Sequence, residues 1–213
     1  TDVARAGTFS CSDPLLNRIH ETALWTQRSN LHGIPTDCPH RERCGWLGDA
    51  HVAAEMTIFN YDMARFWTKY LRDIETSLID GVTPTYVAPG KRTCGAASHD
   101  WATALYQVPW YLYVYYGDRS ALEEHYASGT RWLEEIRAKQ LDENLSLQGQ
   151  DWHVGLGDWC PPGGNGKMQS PVPLTSTVYV YYDHRLMAEL ARILDRPEEA
   201  EFYADFAAKQ RDQ

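Results

Sequence analysis

No run of about 20 uninterrupted apolar residues occurs in this 213-residue chain, so no segment has the length a membrane-spanning helix requires, and no membrane partner is expected. Basic charge is also in deficit. Lys and Arg total 20 against 29 Asp and Glu, a formal net charge of -9, and without a basic face the chain is a poor match for a phosphate backbone, which excludes nucleic acid as a partner. Cysteine is sparse. The five residues Cys11, Cys38, Cys44, Cys94 and Cys160 contain no CxxC pair, so neither a zinc site nor a disulfide-stapled scaffold is expected; Cys38 and Cys44 flank a charged loop but are read as thiols. His51 and Glu55 stand one helical turn apart, without the HExxH pattern or a third ligand. The chain has no GxSxG elbow and no P-loop; Gly155-Leu156-Gly157 lacks the strand and further glycine of a dinucleotide fingerprint, and Gly163 to Lys167 reads as a loop tip. Neither a metal nor a cofactor is expected. Thr1 to Arg5 carries no apolar signal core, and nothing in the composition assigns a compartment.

What the chain does have is aromatic side chains and helical spacing. The 8 Trp and 13 Tyr offer flat apolar faces with polar edges, which suit sugar rings as well as ordinary core packing. Met63, Phe66, Trp67, Tyr70, Leu71, Ile74 and Leu78 form one stripe of an amphipathic helix. Leu15, Ile19 and Ala23 begin an earlier helix, capped by Ser12 or Asp13 with Pro14 at its first position. Further helices are marked by Val52, Met56 and Phe59; by Leu105, Val108 and Leu112; by Leu122, Tyr126, Leu133 and Ile136; by Leu186, Leu190 and Ile193; and by Phe202 and Phe206. The expectation is one all-α domain over residues 1–213, with seven helices and at most a small hairpin near Pro84 to Val87.

Tight turns at Asn60 to Asp62, Gly117-Asp118 and Asp195 to Pro197 alternate with long connections near 31–48, 81–98 and 141–173. Antiparallel helical hairpins would gather the three long loops at one end, and loops beyond about 12–15 residues in a compact domain are usually functional. The helical pattern is still running at Ala207 to Gln213, so the chain is expected to be a fragment, about half of a closed double ring of helices, whose uncovered edge favours homo-oligomer formation.

The densest polar cluster runs from Asp37 to Asp49, where Asp37, Glu42 and Asp49 share a stretch with Arg41 and Arg43. Like charges raise a carboxyl pKa and the guanidinium groups lower it, so a structural ion-pair knot and a catalytic loop both fit these residues. The other long loops carry Ser98-His99-Asp100-Trp101, Gln150-Asp151-Trp152 and Gly157-Asp158-Trp159. Each pairs a carboxylate with an indole, which suits either a pyranose or a capped turn sealed by a ring.

Asp37-Cys38-Pro39-His40-Arg41-Glu42-Arg43-Cys44-Gly45-Trp46-Leu47-Gly48-Asp49 closely resembles the signature of bacterial α-L-rhamnosidases of glycoside hydrolase family 78. Asp13 to Asn17, His99-Asp100-Trp101, Pro109 to Asp118 and Gly157-Asp158-Trp159 are similar to that family as well. The resemblance implies antiparallel hairpins forming part of an (α/α)6 barrel. It also implies hydrolysis, with inversion, of terminal α-linked L-rhamnose in a glycoside or polysaccharide. By the same resemblance Glu42 is the general acid, and Asp37 and Asp49 hold rhamnose hydroxyls. Arg41, or Arg43, fixes the loop, with Arg41 counted among the substrate-binding residues. Trp46 and Trp101 line the sugar pocket, and Trp152, Asp158 and Trp159 lie beside them. His40 stands where the family commonly has Gln. The family's general base, a Glu, lies downstream, beyond this chain, and an inverting glycosidase needs two carboxyl groups about 6.5–9.5 Å apart. A noncatalytic carbohydrate-binding or helical-repeat module, and a different inverting glycosidase on the same barrel, are the alternatives.

Overall fold

The computed structural model describes residues 2–90, 94–149, 154–163 and 168–213. It is all-α. Helix α1 (Pro14–Ser29) begins where the Asp13 side chain accepts a hydrogen bond from Leu15 N–H, with Pro14 supplying the fixed φ of the first turn. After it come α2 (Leu47–Asn60), α3 (Ala64–Thr76), the single turn α4 (His99–Ala102), α5 (Ala104–Tyr116), α6 (Arg119–Lys139), α7 (Val172–Ile193) and α8 (Pro197–Arg211). The seven expected helices are present among the described residues, and α4 is an added single turn. Gly117, at φ 68°, ends α5 in the left-handed conformation, and Asp118 at once caps α6 by accepting from Ala121 N–H. This allows a two-residue turn.

Helices α2, α5 and α7 pack side by side, α3 and α6 cover α5, and α8 lies along α7, giving two layers. Trp67 of α3 is fully buried and donates its indole N–H to Thr57 Oγ1 of α2 at 3.0 Å. Between the outer helices, the Tyr126 hydroxyl donates to Glu199 Oε2 at 2.9 Å, and Arg137 lies over the rings of Phe202, Tyr203 and Phe206. Near Pro84 to Val87, among the described residues, only isolated bridges form, Thr85 with Ala96 and Trp46 with Val87.

Helical spacing located the elements but not always their buried side. On α2, Val52 is 73% and Phe59 56% exposed, whereas Leu47, Ala50, Ala54 and Ile58 are buried. The helix is apolar nearly all round, so more than one stripe satisfies a three-and-four spacing. Leu15 and Ile19 of α1 and Phe202 of α8 are likewise exposed.

Candidate active site

The first long connection, between α1 and α2, is closed at its base by a reciprocal pair: Asp37 N–H donates to the Cys44 carbonyl at 3.1 Å, and Cys44 N–H donates to Asp37 Oδ1 at 3.0 Å. Inside that closure Arg43 sits at φ 51°, where a non-glycine residue is uncommon. The two thiols hold Glu42 by its main chain, since Cys38 Sγ accepts from Glu42 N–H at 3.1 Å and the Cys44 thiol donates to the Glu42 carbonyl at 3.3 Å. They form no disulfide. The loop is docked through Gly45, whose carbonyl accepts from Ala88 N–H at 2.9 Å and from the buried Tyr70 hydroxyl at 2.8 Å. A Cβ on Gly45 would lie 2.1 Å from the Ala88 carbonyl oxygen, so no larger residue fits there without displacing the second loop.

So held, Glu42 presents its carboxylate to the Trp46 indole, whose N–H donates to Oε2 at 2.9 Å, and to Arg41, whose Nη2 lies 2.6 Å from Oε1. Arg41 is 80% exposed at its side chain and Glu42 29%. Asp49 stands in the first turn of α2 and opens toward solvent within a concave part of the surface. Partial desolvation by the surrounding protein, followed by the charge of Asp37, raises its pKa.

The facing wall comes from α4 and the second loop. Trp101 lies directly on Gly48, where a Cβ would come within 2.3 Å of the indole Cε2. Trp46, Tyr86 and Trp101 continue as edge-on pairs, each with centroids 6.3 Å apart. Leu156, Trp159 and Cys160 of the third loop complete a cavity of about 600 Å³, a size suited to a small ligand.

The structure therefore brings Asp37, Arg41, Glu42, Trp46, Asp49, Trp101 and Trp159 to one cavity, walled by all three long loops. Asp158 is placed differently. Its carboxylate accepts from Gln169 N–H at 2.9 Å and Ser170 N–H at 3.1 Å, folding its own loop instead of lining the cavity. These backbone bonds hold its pKa down. Trp152 lies outside the described residues. Tyr86, Val52, Cys94 and Leu156 also line the cavity but were not singled out from sequence for this role, the Pro84 to Val87 stretch being read only as a hairpin candidate. The spaced pair His51 and Glu55 has other partners: His51 Nε2 bonds the Asp100 carbonyl at 2.8 Å, and Glu55 accepts from the Tyr115 hydroxyl at 2.5 Å. Among the described residues no group of three His, Cys, Asp or Glu side chains is placed to hold a metal ion.

Paired helical layers with a carboxylate-and-indole cavity at the loop end define the class, a six-hairpin glycosidase domain forming part of an (α/α)6 barrel. The family model for the bacterial alpha-L-rhamnosidase 6 hairpin glycosidase domain matches residues 4–213, and the chain belongs to that family. An alpha-L-rhamnosidase of Formosa agariphila is 40% identical over 197 residues, 86% of this chain and 20% of that protein. The chain thus spans about a fifth of that relative's length. The structure of an alpha-L-rhamnosidase from Dictyoglumus thermophilum superposes with a TM-score of 0.91 at 37% identity, covering 99% of this chain and 23% of that one. The Streptomyces avermitilis alpha-L-rhamnosidase complexed with L-rhamnose superposes at 0.89 with 31% identity, covering 100% of this chain and 20% of that one.

Proposed function

We propose that the cavity receives a terminal α-linked L-rhamnose and that Glu42 is the general acid of its hydrolysis, with inversion at the anomeric carbon. The Glu42 proton passes to the glycosidic oxygen as the bond to the anomeric carbon breaks and its electron pair stays on the departing oxygen. A water attacks from the opposite face and gives its proton to a second carboxylate, contributed from outside these 213 residues. Asp37 and Asp49 accept sugar hydroxyls, and Trp46, Trp101 and Trp159 supply the flat apolar surface. The observation that carries this reading is that Glu42 lines one cavity together with Asp37 and Asp49. A cavity that only bound sugar would be the better reading if Glu42 faced away or were clamped by both arms of a guanidinium, but Arg41 reaches one carboxylate oxygen through one nitrogen and is itself largely exposed.

The test is Glu42→Gln in the full-length protein, assayed on an alkyl and on an activated aryl α-L-rhamnoside. The alkyl substrate needs protonation of its leaving oxygen and loses about 100-fold or more in kcat, while the aryl substrate loses less. Equal activity of variant and wild type on the alkyl rhamnoside would overturn the assignment.

A further inference from the structure

Asp100 is 2% exposed, and its contacts join three parts of the cavity wall. Its Oδ2 accepts from Leu156 N–H at 2.7 Å, its Oδ1 accepts from the Ser98 hydroxyl, and its own carbonyl accepts from His51 Nε2 at 2.8 Å. His51 belongs to α2, which carries Gly48 and Asp49; Asp100 itself is in α4 beside Trp101; Leu156 belongs to the third loop with Trp159. The loop backbone sits tightly at this point. A Cβ on Gly155 would lie 3.3 Å from Asp100 Oδ2 and 1.9 Å from Ser176 Oγ of α7. On its other side the loop is folded by Asp158 through Gln169 and Ser170, bonds within the same connection that do not tie it to the helices.

We propose that Asp100 is a positioning residue, fastening residues 154–163 to α2 and α4 so that Leu156 and Trp159 stand opposite Glu42 as a wall of the sugar site. The carboxylate that resembles a sugar ligand in sequence is thus turned inward, and its effect on substrate passes through the loop. This inference rests on the rhamnosidase reading for the sugar but not for the fastening itself.

Asp100→Ala removes the acceptor, while Asp100→Asn keeps an oxygen for Leu156 N–H and an amide for the Ser98 hydroxyl. Two measurements on the full-length protein decide the matter: amide hydrogen exchange resolved to the 154–163 segment without sugar, and KM and kcat on an α-L-rhamnoside. Asp100→Ala is expected to speed exchange in 154–163 by tenfold or more while α5 and α6 stay protected. It raises KM by tenfold or more, with a smaller change in kcat, and Asp100→Asn recovers most of both. Unchanged exchange in the segment overturns the fastening, and a loosened segment with unchanged KM overturns its bearing on the sugar site. If Asp100→Ala loosens the whole protein, Ser98→Ala, which leaves the carboxylate in place but removes its orienting donor, decides by the same two readouts. A wild-type protein that neither binds nor cleaves α-L-rhamnosides refutes the proposed function and the sugar half of this inference, while the exchange result still judges the fastening.

Discussion

Acid should weaken this fold at its buried imidazoles, and His99 is the clearest case. It is 1% exposed, its Nε2 bonds Gln140 Oε1 at 2.9 Å, and its ring stacks on Trp132 at 5.6 Å. Burial drives its pKa down to about 4 from the ordinary imidazole value of 6.5. Because the folded state binds fewer protons than the unfolded one, the stability tied to His99 is complete above 6.5 and is lost as pH falls from there toward 4. Each pKa unit is worth about 1.4 kcal/mol, so the loss is about 3 kcal/mol in full and about 2 kcal/mol near pH 5. His51, lowered to about 4, and His184, lowered to about 3, have the same sign and the same cause, first of all burial. Together the three cost about 6 kcal/mol near pH 5, against a typical domain stability of about 5–15 kcal/mol. Asp100 and Asp183 work the other way, because burial raises their pKa values and the folded state then gains as pH falls. His99→Phe isolates one contribution. The ring still faces Trp132, while the lost bond to Gln140 costs about 1 kcal/mol at every pH. Urea unfolding from about pH 7 to about pH 5 should show a shallower decline in the variant, by up to about 1.4 kcal/mol per pH unit. A pH dependence identical to wild type would refute the reasoning.

Other perturbations bear on the cavity itself. Gly48→Ala places a methyl within 2.3 Å of Trp101 Cε2, so it should cost about 1–3 kcal/mol in urea unfolding and weaken rhamnose binding by tryptophan fluorescence titration; unchanged binding would separate Trp101 from the sugar. Partial desolvation and the charge of Asp37 raise the Asp49 pKa, so its ionised form costs stability, and that cost is relieved as pH falls through the folded value. Asp49→Asn is therefore expected to raise the melting temperature slightly at neutral pH while lowering rhamnose affinity, and a lower melting temperature would contradict that sign.

The alternation of short turns and long loops was legible because its signals are local: a glycine that can enter the left-handed region followed by a capping aspartate at Gly117-Asp118, and a proline opening α8 after Asp195. The buried side of α2 was not, since Leu47, Ala50, Ala54 and Ile58 are as apolar as the exposed Val52, Met56 and Phe59, and only the arrival of α4 and α5 decides between the stripes. The acid loop was legible as a cluster because its carboxylates, guanidinium groups and indole occur within a dozen residues, and chain connectivity alone keeps them close. Tyr86 and Leu156 carry no such signature. They enter the wall because loops far apart in the chain converge, which no local pattern encodes.

The third loop shows the same limit at closer range. Asp158 and Trp159 are adjacent in sequence, both suit a sugar, and were read as a pair, yet the carboxylate turns back to Gln169 and Ser170 while the indole faces the cavity. Gly157, at φ 61°, sets the backbone direction just ahead of them, and the Gln169 and Ser170 main-chain N–H groups lie where the Asp158 carboxylate can accept from both. Asp100 made the corresponding choice in α4, taking the Leu156 and Ser98 donors. At Asp100-Trp101 and Asp158-Trp159 an aspartate beside a tryptophan thus marks the region of the cavity, and the nearest backbone donors determine whether the carboxylate or only the neighbouring ring reaches it.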